Sequence, residues 1–152
     1  MEPTTVVTAA AGFLLAVLWF DLMFDVQVWR HRRAPQVPDD TLDSIAAYYR
    51  RVTTTASPMG RLVGLVMLVL LGVLVVQAID GDAPVWVSVV SLLAALVATG
   101  LALVRVFGRA RRLGAATDPR AQQSVLARSI FRDHLVCLAA MAIVLAVQLI
   151  GG

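Results

Sequence analysis

Apolar residues along the chain gather into four long runs, about 6–28, 59–79, 85–107 and 130–150, separated by shorter polar stretches. At ~1.5 Å of helix rise per residue, runs of this length cross ~30 Å of bilayer hydrocarbon. The pattern predicts an all-α polytopic membrane protein, a four-transmembrane-helix bundle forming one membrane domain over 1–152. The first run is preceded by Glu2 and no basic residue, and it lacks a small-residue cleavage site. It is therefore expected to remain as a span rather than to be removed as a secretory signal.

The polar stretches add detail. After Pro35 and Pro38, Asp39 or Asp40 can cap a helix that carries Leu42, Ile45, Tyr49 and Val52 on one face and Asp43, Arg50 and Arg51 on the other. This predicts an interfacial helix over about 40–53 lying on the headgroups at the cytoplasmic side. It would serve either as a solvated connector with one apolar face or as a groove for a partner. Ser57 and Pro58 are read as the cap and first turn of the second span. Gly60, Gly64 and Gly72 fall near one stripe of that span, where a neighbouring helix can approach closely. The turn at 80–83 and Pro84 lead into the third span, whose Ser88, Ser91, Ala95, Ala98 and Ala102 form a small-residue packing stripe. Gly114 is expected to end that helix. Asp118 and Pro119 open the last one, whose first turns should project beyond the bilayer.

Composition sharpens the class. The chain is 59% hydrophobic with a mean hydropathy of +0.81, outside the range of ordinary soluble domains. One cysteine, Cys137, excludes an intramolecular disulfide and leaves no Cys/His spacing for structural zinc. All 13 basic residues are arginine, as a high-GC bacterial coding bias would produce. Every arginine lies in or beside the 30–61 and 105–132 connections, whereas the amino terminus, the 80–83 turn and the carboxyl end have none. The positive-inside rule then places both termini outside and two basic loops in the cytoplasm of a bacterial inner membrane. The arginine runs sit where topology signals sit, so nucleic acid is not expected as a partner. The expected partners are the lipid bilayer and a membrane-protein client or a second copy of the chain.

Asp21 and Asp25 pose the functional question. Four residues apart, they share one helix face near the end of an apolar run, where a lone charge costs roughly 2.5–3.5 kcal/mol. Counting along the helices brings Asp25, Arg61, Arg105, Asp133 and His134 to a similar depth, with Asp21 a turn deeper beside Cys137. Three carboxylates, Asp21, Asp25 and Asp133, then face three guanidiniums, Arg61, Arg105 and Arg132. The principal expectation is an intramembrane ion-pair network that specifies helix docking, with Asp25 and Arg105 as the leading pair and Arg61 and Arg132 as rivals. A proton site at Asp21 and Asp25 in a small proton-coupled transporter is the alternative. A metal held by Asp21, Asp25 and His134 is chemically allowed but no ligand spacing repeats, and Cys137, three residues from His134, lacks the electropositive, accessible setting of a nucleophile. Neither a catalytic residue nor a metal or cofactor is assigned.

The second and fourth spans share an offset of 71 residues. Arg61 matches Arg132, Gln77 matches Gln148, and both spans close on Val-Gln-x-Ile near a glycine. Two related hairpins about an axis normal to the membrane would give this pattern, as would two helices meeting the same charge demands at each end.

Two resemblances follow. The length, the four spans and the basic first loop resemble the membrane-bound glutathione and eicosanoid transferases, which implies a trimer binding glutathione through cytoplasmic-side arginines. That family's Glu-Arg-x-x-Arg-Ala-x-x-Asn-x-x-Glu type motif is replaced here by Tyr48-Tyr49-Arg50-Arg51-Val52-Thr53-Thr54-Thr55, with neither the Asn nor the Glu. The chain also resembles the fungal endoplasmic-reticulum chaperones that package amino-acid permeases. The resemblance rests on Phe24-Asp25, on Leu42 to Tyr49 with its paired tyrosines, on Ser57-Pro58 and on Val147-Gln148. It implies a non-enzymatic helper that shields polar positions of client helices.

Overall fold

The computed structural model describes residues 2–151, apart from the Ser57 side chain. All its regular structure is helical: α1 (Pro3–Asp25), α2 (Gln27–Arg30), α3 (Asp39–Thr53), α4 (Ser57–Asp80), α5 (Val85–Leu101), a π-helical turn (Ala102–Val106), α6 (Phe107–Ala115) and α7 (Arg120–Gly151). Four apolar stretches, Pro3–Asp25, Pro58–Asp80, Val85–Ala115 and Arg120–Gly151, are long enough to cross a membrane. These are the dimensions and composition of a small integral membrane protein.

The spans surround a common core. α1 packs on α4 and α7, and α5 packs on the same two helices, so the order around the bundle is α1, α4, α5, α7. Val7, Ala11 and Leu14 of α1, Leu70 and Leu74 of α4, Ala95 and Ala98 of α5, and Met141 and Val144 of α7 fill the interior. Ala95 and Ala98 fall on the small-residue stripe read from the sequence, and both are buried. Long side chains such as Leu68, Leu96 and Leu149 stay exposed on the outside, as a lipid-facing surface requires.

At the end away from the arginines, a polar layer crosses the core. Gln77 and Gln148 exchange amide hydrogen bonds of 3.2 Å in both directions. Each donates once more, Gln77 to Thr4 Oγ1 at 3.4 Å and Gln148 to Ser91 Oγ at 3.1 Å. The two residues related by the 71-residue offset therefore face one another across the bundle, each with a hydroxyl from α1 or α5 behind it.

The arginine-rich end has a core of its own, and here the structure departs from the sequence reading. The apolar face of α3 is not presented to headgroups. Leu42, Ile45 and Tyr49 are buried against Val106, Ala110 and Leu113 of the third span and Leu126, Ala127 and Ile130 of α7. The third span continues past residue 107 to Ala115 because nothing before Ala116 breaks it; Ala116 adopts the left-handed conformation at φ 53° and ends it. Gly114, expected as the terminator, has another task. A Cβ there would lie 2.7 Å from Arg50 N and 2.9 Å from Tyr49 C, so its hydrogen lets the α3 backbone cross in contact with α6. Arg50 Nε donates to Gly114 O at the same crossing, at 3.3 Å.

Helix starts also differ in detail. The residue before α3 is Pro38, and Asp39 and Asp40 lie inside its first turn, where their charge favours the helix dipole. The capping role expected of the Ser57 hydroxyl lies outside the described residues. The loop ahead of α3 is pinned to α7: Arg128 donates to His31 O at 3.1 Å and Ala34 O at 2.6 Å, and Val37 N donates to Ser124 Oγ at 3.1 Å.

Candidate functional site

Asp25 is the last residue of α1, at the end of the helix where the dipole is negative. A carboxylate at that place, fully buried, needs strong donors. Two reach it. Tyr49 Oη donates to Oδ1 at 2.7 Å, and His134 Nδ1 lies 2.6 Å from Oδ2. An ionised carboxylate can only accept, so the imidazole supplies the proton from Nδ1. One turn back, Asp21 Oδ1 accepts from Tyr48 Oη at 2.5 Å, and its Oδ2 stands 3.9 Å from His134 Nε2. The imidazole is thus wedged between two carboxylates, and each carboxylate is held from the other side by a tyrosine.

Adjacent tyrosines can do this because α3 crosses beside the end of α1. Tyr48 is half-buried with its ring stacked on Phe24 at 4.1 Å between centroids, while Tyr49 is fully inside and meets Tyr48 edge-on at 5.3 Å. Burial first, and the facing carboxylates second, hold both phenols protonated well above their ordinary range. Both therefore act as donors.

A second set adjoins the first. Asp133, next to His134 on α7, is gripped by a fork: Arg105 Nη2 at 3.2 Å on one oxygen and Arg109 Nη1 at 2.8 Å on the other. Arg109 also donates to Ser129 Oγ. Arg105 lies within the π-helical turn, a local widening that recurs at functional positions in membrane and soluble helices alike.

The sequence-selected residues are therefore divided. Asp21, Asp25 and His134 meet directly, and Asp133 meets Arg105. The expected Asp25–Arg105 pair does not form, because His134 occupies the Asp25 carboxylate and Asp133 takes the guanidinium. Arg61 and Arg132 are exposed and make no ion pair among the described residues. Among the described residues no group of His, Cys, Asp and Glu is arranged to hold a metal ion. Cys137 is buried and its thiol points to Ala98 O at 3.6 Å instead of to His134. Sequence reasoning passed over Tyr48, Tyr49, Arg109 and Ser129. The signal available for the tyrosines was the amphipathic phase of α3, which buries Tyr49 and obliges its hydroxyl to find a partner.

Searches against protein-family models, curated proteins and solved structures each returned no match. The likeness to permease-packaging chaperones draws no support from them.

Proposed function

We propose that the chain is a non-enzymatic integral membrane protein, a structural or assembly component whose buried Asp–His–Tyr cluster fastens α3 across one end of a four-span bundle. One observation carries this reading. Asp25 is fully buried and its two carboxylate oxygens are taken by the Tyr49 hydroxyl and His134 Nδ1, so the group at the centre of the cluster is engaged within the protein itself. Two shallow apolar grooves of about 350 and 290 Å³ run along the outer seams of the bundle, and no cluster residue lines either. The charge distribution supports an arginine-rich end in the bacterial cytoplasm with both termini outside. Single reporter cysteines in a Cys137-free background should label from outside at Asp82 and from inside at Ala115; the reverse overturns this orientation.

Proton-coupled transport is the second reading, favoured by the imidazole between two carboxylates and by the 17% exposure of the Asp21 side chain. Proteoliposomes carrying a pH-sensitive dye and offered a broad panel of cations and drugs separate the two. The structural reading requires that an imposed proton gradient persist in wild type as it does in empty vesicles. Dissipation by wild type that Asp21→Asn abolishes would establish transport in its place.

A further inference from the structure

Arg132 is an exposed arginine in a spanning helix with no acidic partner among the described residues, and the surface directly above it is an apolar groove. That groove follows the α5/α7 seam, between Leu93 and Val97 on one side and Val136, Ala139 and Ile143 on the other. Arg132 stands four residues, about 6 Å of helix rise, beyond Val136 toward the arginine-rich end. At that level Arg105, in the π-helical turn that continues α5, bridges to Asp133 of α7, and the Arg105 side chain is 44% exposed. Arg105 and Arg109 share the single carboxylate of Asp133, so the pair leaves one positive charge uncompensated, and Arg132 adds a second.

We infer that this seam binds an anionic phospholipid, with an acyl chain in the α5/α7 groove and the headgroup phosphate against Arg132 and Arg105. The charge balance chooses the occupant. A neutral chain end would leave two guanidiniums at the hydrocarbon boundary with no counter-charge, whereas a phosphate accepts the forked N–H donors of arginine and a lipid supplies it at that depth. The α1/α4 seam provides the contrast. Its groove, between Ala9 and Phe13 of α1 and Leu65 and Val69 of α4, has one arginine a turn beyond it, Arg61, on a helix packed against the one that carries Asp21. It carries one guanidinium unpaired among the described residues where the α5/α7 seam carries two uncompensated charges, so the stronger preference for an anionic headgroup belongs to the α5/α7 seam.

Native mass spectrometry of the detergent-solubilised protein titrated with phosphatidylglycerol or phosphatidylcholine tests this. Wild type should retain phosphatidylglycerol preferentially. Arg132→Gln should weaken that lipid about fivefold, the equivalent of about 1 kcal/mol for one basic residue at an anionic surface, and leave phosphatidylcholine unchanged. Ala139→Phe, which fills the groove from an exposed position without altering charge, should reduce both lipids. Arg61→Gln should leave the phosphatidylglycerol preference intact. Equal retention of the two lipids by wild type, or undiminished phosphatidylglycerol binding in both Arg132→Gln and Ala139→Phe, overturns the proposal.

Discussion

Replacing Asp25 by Leu removes one carboxylate and strands two buried donors, the Tyr49 hydroxyl and the His134 Nδ1–H. Each unsatisfied group costs about 1–3 kcal/mol, so the expected loss is about 2–6 kcal/mol. His134→Leu instead leaves the Asp25 carboxylate at a helix C-terminus with only Tyr49 to hold it, a loss of about 3–5 kcal/mol. In the double variant only the Tyr49 hydroxyl is stranded, so the two losses should fall short of additivity by about 4 kcal/mol or more. Thermal melting in detergent reads this cycle. At about 2–4 °C per kcal/mol for a chain of this size, each single change should lower the midpoint by about 4 °C or more, and the double variant should melt well above the additive expectation. Arg61→Leu paired with Asp25→Leu is the control and should be additive within about 0.5 kcal/mol, since Arg61 is exposed and unconnected to the cluster. Additivity of Asp25 with His134, or strong coupling of Asp25 to Arg61, would refute the assignment of the partner.

Gly114→Ala should cost about 1–3 kcal/mol, because the new methyl meets the backbone of Tyr49 and Arg50 at under 3 Å and α3 must lift; limited trypsin cleavage after Arg51 should accelerate while the spans stay intact, and an unchanged digest would contradict the crossing. Gln77→Leu should destabilise by about 1–3 kcal/mol by leaving Gln148 short of a partner, with Gln77→Leu/Gln148→Leu recovering part of the loss on thermal melting; a double variant as weak as the sum would argue against the reciprocal pair. Tyr48 and Tyr49 are the two tyrosines of the chain, and both are held above the ordinary phenol value of 10.0. Their contribution to stability is full below the unfolded-state value and lost as pH rises toward the folded one, so tyrosinate absorbance should appear in alkali only together with unfolding. Ordinary titration near 10.0 in the folded state would show the phenols to be free.

The four spans were legible because a 20-residue apolar run has few fates other than a membrane helix, and because small residues such as Ala95 and Ala98 mark the faces that must approach closely. The carboxylates were legible as a problem for the same reason: Asp21 and Asp25 stand where charge is costly. Their partners were not. Depth along a helix can be counted, but the azimuth at which Arg61, Arg105 and Arg132 point depends on helix rotation, and the π-helical turn at Ala102–Val106 alters that rotation for Arg105 and Arg109. The surface that covers the apolar face of α3 was misjudged for a related reason. An amphipathic helix after a basic loop fits a headgroup surface and a protein surface equally well, and only the continuation of the third span to Ala115 supplies the protein surface that covers Leu42 and Ile45.

The central claim is that His134, and no arginine, holds the Asp25 carboxylate, and nitrogen-15 NMR of the histidine side chains tests it most directly. The chain has two histidines, His31 and His134, so the spectrum is assignable by one substitution. With Nδ1 at 2.6 Å from Asp25 Oδ2, His134 should show a strongly downfield Nδ1-bound proton. Asp25→Asn should shift that proton sharply upfield, and Arg105→Gln should leave it in place. Absence of the downfield proton in wild type, or its survival unchanged in Asp25→Asn, would contradict the account.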